Sequence, residues 1–294
     1  MFRKEKFFTR QLTIVLLIVM LIFNAAVTSA QLVLPQASPK ATLSQSIGIT
    51  DIKIEYHKPS VKGRVIWGDV VPYDSVWRTG ANEATIISFS TDVKIEGTLL
   101  IKGKYALYTI PGKEAWTIIF NKKRDINGPY KYEKVLDAMQ VKVKPKANEM
   151  TETMLFHISD MTLSSCTINL DWEKLRISIK VEMETDSLFM AYIKDFIKAE
   201  PDDASVYKGG AEYTLTSGMH LDLGIQWADM AIKFKPYYEN YWLRGNIKAK
   251  LGEYQEAIED YDKGLELAKN NKDIDQIKAR YDKKVNEFKI KIGK

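Results

Sequence analysis

From about Thr42 to Glu184, apolar residues recur at every second position. Ile52, Ile54 and Tyr56 alternate with Lys53, Glu55 and His57, and Val93 and Ile95 with Lys94 and Glu96. Val141 and Val143 alternate with Lys142 and Lys144. Met154, Phe156 and Ile158 mark one face of a further run, Cys166, Ile168, Leu170 and Trp172 the next, and Leu175, Ile177, Ile179 and Val181 the last. Successive side chains of an extended chain point to opposite sides, so each run predicts a strand buried on one face and wet on the other. Gly97, Lys102-Gly103, Pro111-Gly112, Asn127-Gly128 and Glu173-Lys174 supply turn chemistry between the runs. About nine or ten short strands with no long helix between them predict an all-β antiparallel sandwich or flattened barrel. Tyr130 to Met139 is the exception, expected to form one or two helical turns.

After Thr185 the period lengthens to that of a helix. Leu188, Tyr192, Ile193 and Phe196 share one face of a helix that stops before Pro201. Further helical patterns run from Ala204 to Leu215, ending near Gly218, and from Leu221 to Phe234, stopping at Pro236. In "YWLRGNIKAKLGEYQEAIEDYDKGLEL", Tyr241 to Leu267, small residues fall at Gly245, Ala257 and Gly264 and aromatics at Tyr241, Tyr254 and Tyr261, with a break at Gly252. This stretch resembles a tetratricopeptide repeat, a helical hairpin with small residues where its helices cross. Lys269 replaces the closing proline. Ser205 to Pro236 resembles a weaker upstream copy, carried by Trp227, Ala231 and Pro236, with Gly224 where alanine is usual. Ile274 to Ile290 is expected to cap the stack, because an open repeat face must be covered. The resemblance implies a short helical stack that presents a groove to a protein or peptide. The alternative is a stack that serves only for packing or dimerisation.

The amino terminus has a different pattern. Arg3, Lys4, Lys6 and Arg10 precede an apolar run from Leu12 to Phe23, and Thr28, Ser29 and Ala30 follow. Charge, apolar core and small residues in that order predict a secretory signal peptide over residues 1–30, cleaved between Ala30 and Gln31. A linker is expected at 31–41, the β-domain at 42–184 and the helical domain at 185–294. Contact with a membrane is expected only through the uncleaved leader. Without the leader, 264 residues remain, with 39 basic and 37 acidic side chains. That near-balance removes any argument from bulk charge for a nucleic-acid partner. The single cysteine, Cys166, cannot form an internal disulfide and lies on an apolar strand face, where an inert buried thiol is expected.

The β-region carries a denser signal. "YHKPSVKGRVIWGDVVPYDSVWRTGANEAT", Tyr56 to Thr85, is followed by "GKYALYTIPG" and "WTIIFNK". These motifs resemble a secreted bacterial family known as domain of unknown function 2911 (DUF2911), over most of Ala41 to Glu184. His57 departs from the small polar residue expected there, so the resemblance assigns it no role. The resemblance implies a fold, an exported location and helical repeats behind the β-domain. It implies no activity, because none is established for the family.

Within Val76–Thr85, Trp77 offers an aromatic face, Arg78 a planar fork of donors, Asn82 an amide and Glu83 a carboxylate. Three readings stand. Arg78, Asn82 and Glu83 staple the long loop Lys58 to Gly80 over one end of the sandwich, with Arg64 or Arg78 pairing a buried Glu83. Or Trp77, Arg78, Asn82 and Glu83, with Tyr56, Arg64 and Trp67, form a polar-aromatic pocket for a glycan or peptide end. Or Glu83 is the general acid or base of a hydrolase acting on glycan or peptide, with Asp69 or Asp74 as second carboxylate. Elsewhere the pattern excludes chemistry. His57, His157 and His220 have no metal-ligand spacing, so neither metal nor cofactor is expected. His157 is expected on an exposed strand face. Lys142, Lys144 and Lys146 read as protection of a sheet edge. The reading carried forward is a non-enzymatic binding or scaffold protein of the cell envelope, with the hydrolase as alternative.

Overall fold

The computed structural model describes residues 35–123 and 132–293. The expected leader, its Ala30–Gln31 cleavage point, the Asn127-Gly128 turn and the start of Tyr130–Met139 lie outside them. Strands begin at Lys40, and residues 35–39 contain neither helix nor strand.

Ten strands form two antiparallel sheets. In chain order they are β1 (Lys40–Ile47), β2 (Thr50–His57), β3 (Thr85–Phe89), β4 (Val93–Ile95), β5 (Thr98–Leu100), β6 (Gly103–Ile110), β7 (Trp116–Asn121), β8 (Asp137–Val143), β9 (Lys146–Ser159) and β10 (Ser165–Glu182). One sheet runs β1-β2-β3-β6-β7-β8 and the other β5-β4-β10-β9. The helix expected before Met139 is a single 3-10 turn, Lys134–Leu136, and Asp137 already belongs to β8.

The alternation places the core as expected. Ile52, Ile54, Ile87, Leu107, Ile118 and Phe120 of the larger sheet join Met154, Phe156, Ile168, Leu170, Ile177 and Ile179 of the smaller in one buried cluster. Each such side chain contributes roughly 1.5–3 kcal/mol when removed from water.

β10 is one long strand segment that doubles back. The Met183 N–H donates to the Ser164 carbonyl at 2.8 Å. The Ser178 hydroxyl donates to the Asn169 amide oxygen at 2.8 Å. Arg176 grips both oxygens of Asp171 at 2.6 Å. Residues five, nine and nineteen positions apart cannot meet along a straight strand. They meet because the chain reverses at Glu173-Lys174, where Glu173 takes a φ of 55°. One arm of this hairpin pairs with β9 (Leu170 opposite Phe156) and the other with β4 (Val181 opposite Ile95).

Six helices follow: α1 (Thr185–Ala199), α2 (Ala204–Ser217), α3 (Leu221–Phe234), α4 (Tyr238–Leu251), α5 (Tyr254–Ala268) and α6 (Ile274–Ile292). Among the described residues, no helix is long and apolar enough to cross a membrane. Asp203 caps α2 by accepting from the Ser205 N–H at 2.8 Å. Gly252, with a φ of 89°, ends α4 in the left-handed conformation that side chains resist. The α4–α5 crossing explains the small residues of the repeat. A Cβ on Gly264 would lie 2.4 Å from the Trp242 indole nitrogen, and one on Gly245 would lie 3.0 Å from the Ala257 carbonyl and the Tyr261 ring. The upstream hairpin α2–α3 has its own fit. Gly224, where alanine is usual, leaves room for Thr214, whose hydroxyl would sit 2.0 Å from an added Cβ.

Candidate functional site

The chain between β2 and β3 is held mainly by its backbone. The Val61 N–H donates to the Glu152 carbonyl (2.8 Å), the Met154 N–H to Pro59 (2.9 Å) and the Asp74 N–H to Pro111 (2.8 Å). Trp77 and Thr109 exchange both backbone bonds at 2.8 Å. Val61, Ile66 and Val71 are buried in the core and anchor the loop from beneath. None of these three belongs to an alternating run, so periodicity did not reveal them.

Trp67 and Trp77 are half-buried and meet two core tryptophans. The Trp67 ring lies edge-on to Trp116 at 5.0 Å and to Trp172 at 5.6 Å, while Trp77 stacks on Trp172 at 5.8 Å. The Trp77 indole N–H donates to the Gly80 carbonyl at 3.0 Å. The indole nitrogens of Trp67, Trp116 and Trp172 are buried without a hydrogen-bond partner.

The other expected site residues separate. Tyr56 lies in the core, edge-on to Phe156 at 4.9 Å, with its hydroxyl accepting the Phe156 N–H at 3.2 Å. Burial raises its phenol pKa, and that hydrogen bond only partly offsets the rise. Arg64 turns onto its own loop, donating to the carbonyls of Ser60 (2.6 Å) and Val61 (3.0 Å). The Nε of Arg78 is buried without a hydrogen-bond partner, and its carbonyl accepts the Thr85 N–H at 3.3 Å. Asn82, at a φ of 57°, places its Nδ2 3.0 Å from Nδ1 of the buried His57. Glu83 stays 65% exposed, with its carboxylate 4.0 Å from His57 Nε2. Glu83 is therefore not the buried partner of an arginine. The structure groups Trp67 with Trp77, and His57 with Asn82 and Glu83. Asp69 and Asp74 are exposed.

The smaller sheet carries a polar cluster that the alternation did not reveal. His157, expected to be exposed, is half-buried, with Nε2 3.1 Å from the buried Asp171 carboxylate that Arg176 also holds. Burial pushes the Asp171 pKa up, but the hydrogen bonds and charges of Arg176 and His157 outweigh it and leave the carboxyl below its ordinary value. Cys166 is buried, and desolvation pushes its thiol up to about 11, well away from a reactive thiolate.

Among the helices, α2, α4 and α6 line a groove. One stretch, about 370 Å³, is bounded by Lys208 and Glu212 of α2, Glu239, Trp242 and Asn246 of α4, and Arg280 of α6. The adjoining stretch, about 460 Å³, shares Leu215 and Asn246 and extends past Lys250, Lys284, Phe288 and Lys291. Lys208 is balanced by Glu239 at 3.3 Å and Lys284 by Glu287 at 2.8 Å. The Arg280 guanidinium lies 6.0 Å from the Trp242 ring centre. The Tyr261 hydroxyl donates to the Asn246 amide oxygen at 2.9 Å and fixes that side chain at the middle of the groove.

Comparison with known families agrees with both resemblances. A family described as "Protein of unknown function (DUF2911)" matches residues 38–181. A tetratricopeptide repeat matches residues 243–271, most of α4 and all of α5. The α2–α3 hairpin lies outside that match. No curated protein matches the chain. The strand region thus resembles the DUF2911 family over residues 38–181, and the hairpin behind it matches a tetratricopeptide repeat.

Proposed function

We propose that this protein is a scaffold, exported to the cell envelope, that holds an extended acidic segment of a partner protein in the groove between α2, α4 and α6. A tetratricopeptide repeat supports protein interaction in general, and the groove supplies the detail. Five cationic side chains (Lys208, Lys250, Arg280, Lys284 and Lys291) line it against three carboxylates (Glu212, Glu239 and Glu287). The half-buried side chains of Leu215, Ala249 and Tyr254 lie between them. That surplus of positive charge beside apolar surface suits an acidic peptide. The test is a fluorescence-polarisation screen of labelled ten-residue acidic and basic peptides. Acidic peptides should bind, and Lys250→Glu with Lys291→Glu should weaken them at least tenfold. Equal binding of both classes would reject the reading. For export, the amino-terminal sequence of protein recovered from the envelope should start at Gln31.

A second reading concerns the β-domain. The half-exposed Trp67 and Trp77 rings support a glycan contact, and the exposed Glu83 beside His57 keeps the hydrolase alternative. Under the hydrolase reading, Glu83→Gln abolishes turnover of a glycan or peptide substrate with no loss of fold. Under the scaffold reading there is no turnover to abolish.

A further inference from the structure

A second groove, about 580 Å³, opens where the edge strand β8 passes the β10 hairpin. Lys142, Lys144, Lys146 and Lys180 line it together with the hydroxyl-bearing Ser165, Thr167 and Ser178. Its two carboxylates are already engaged. Glu96 accepts the Lys180 backbone N–H at 2.6 Å, and Asp160 accepts the Ser159 hydroxyl at 2.9 Å. Lys180 is paired with Glu182 at 2.7 Å. Lys142, Lys144 and Lys146 have no ion-pair partner among the described residues.

Protection of a sheet edge accounts for Lys142 at the end of β8 and for the alternating Lys144 and Lys146 that lead into β9. It does not account for a fourth lysine arriving from β10, nor for hydroxyls lining the same groove. We propose that this groove binds an anionic saccharide, with the three unpaired ammonium groups meeting its carboxylate or phosphate and the hydroxyls of Ser165, Thr167 and Ser178 meeting its ring hydroxyls. The lining argues against nucleic acid and lipid. It contains no aromatic side chain on which a nucleic-acid base could stack. Its apolar side chains, Val143 and Cys166, are buried, so the groove offers no exposed apolar side chain to a lipid chain. The volume falls within the range of sites for small ligands, roughly 300–1,000 Å³. The site is distinct from the helical groove and does not depend on it.

The test is calorimetric titration of the protein with trigalacturonate, phosphorylated maltotriose, neutral maltotriose and inorganic phosphate at low salt. At least one of the two charged trisaccharides should bind saturably, with affinity falling as salt rises. Neutral maltotriose should not bind, and inorganic phosphate should bind at least tenfold more weakly. Whichever charged trisaccharide binds identifies the oxyanion. The triple variant Lys142→Glu, Lys144→Glu and Lys146→Glu keeps the edge charged and should lose at least tenfold in affinity, while Lys250→Glu in the helical groove should change nothing. No saturable binding of either charged trisaccharide, equal binding of inorganic phosphate, or unchanged affinity in the triple variant would overturn the proposal.

Discussion

The two regions bury tryptophan in different ways. In the helical stack, Trp242 lies parallel to Tyr261 at 5.0 Å and donates its indole N–H to the Tyr261 carbonyl at 3.1 Å. Around it, Gly264 and Gly245 bring the helices close, and the buried Asp260 is held by Arg244 and by Lys248 at 2.9 Å. In the sandwich, three of the four clustered tryptophans leave a buried indole N–H without a partner. A buried unpaired donor costs about 1–3 kcal/mol. The cluster holds because each ring buries roughly 150–250 Å². The sandwich core therefore depends on area, whereas the helical hairpin depends on fit and on satisfied polar groups.

That contrast can be broken by substitution. The largest expected effect is Trp116→Ala, which empties the centre of the cluster and should cost about 3–5 kcal/mol in urea unfolding. Asp260→Ala comes next. It leaves Lys248 without its carboxylate and Arg244 with Asp229 alone, and about 3 kcal/mol should be lost, the lower end of the range because Arg244 keeps that second partner and both cations keep about a fifth of their surface exposed. Gly264→Ala forces a Cβ into the Trp242 indole and should cost about 1–3 kcal/mol, read as a lower melting temperature. The sharpest comparison is Trp116→Phe against Trp242→Phe. Both remove similar area, but the first also removes an unpaired donor and the second a made hydrogen bond, so the second should cost about 2–4 kcal/mol more. Equal costs would show that neither the unpaired donor nor the indole bond in the helices contributes.

The smallest effect is an acid one. The Asp171 carboxyl sits below its ordinary value in the folded protein. Its contribution to stability is complete above the unfolded carboxylate range, about pH 4, and is lost as pH falls through the folded value. Asp171→Asn should therefore flatten the loss of stability with acid below about pH 4, measured by urea midpoints across pH. An unchanged acid slope would remove Asp171 from the account.

Some of the architecture could be read locally and some could not. The strands around Ile54, Phe156 and Ile179, and helices α3 to α6, followed from spacing, because burial on one face imposes a period that is visible within a few residues. The reversal at Glu173-Lys174 was legible as a turn between two apolar runs. The seat of the Val76–Thr85 loop was not. Asn82 meets His57 across twenty-five positions, and the loop is anchored by Val61, Ile66 and Val71, whose five-residue spacing matches neither a strand nor a helix. His57 was set aside as a departure from the family pattern, yet it is the buried partner of Asn82. Gly224 read as a flaw in the upstream repeat, and it is the space that Thr214 occupies.

The sequence by itself determined the two fold classes, the β and α segments, the family resemblance of the strand region and the tetratricopeptide hairpin. These rest on periodicity and on residue types at short spacing, which survive without knowledge of distant contacts. Only the tertiary structure decided which polar residues meet. It moved Tyr56 and Arg64 away from Glu83, left Glu83 exposed and joined four tryptophans from separate segments. It also brought Lys180 to Lys142, Lys144 and Lys146. Those outcomes depend on how the sheets and the β10 hairpin bring remote positions together, and no local pattern encodes that distance.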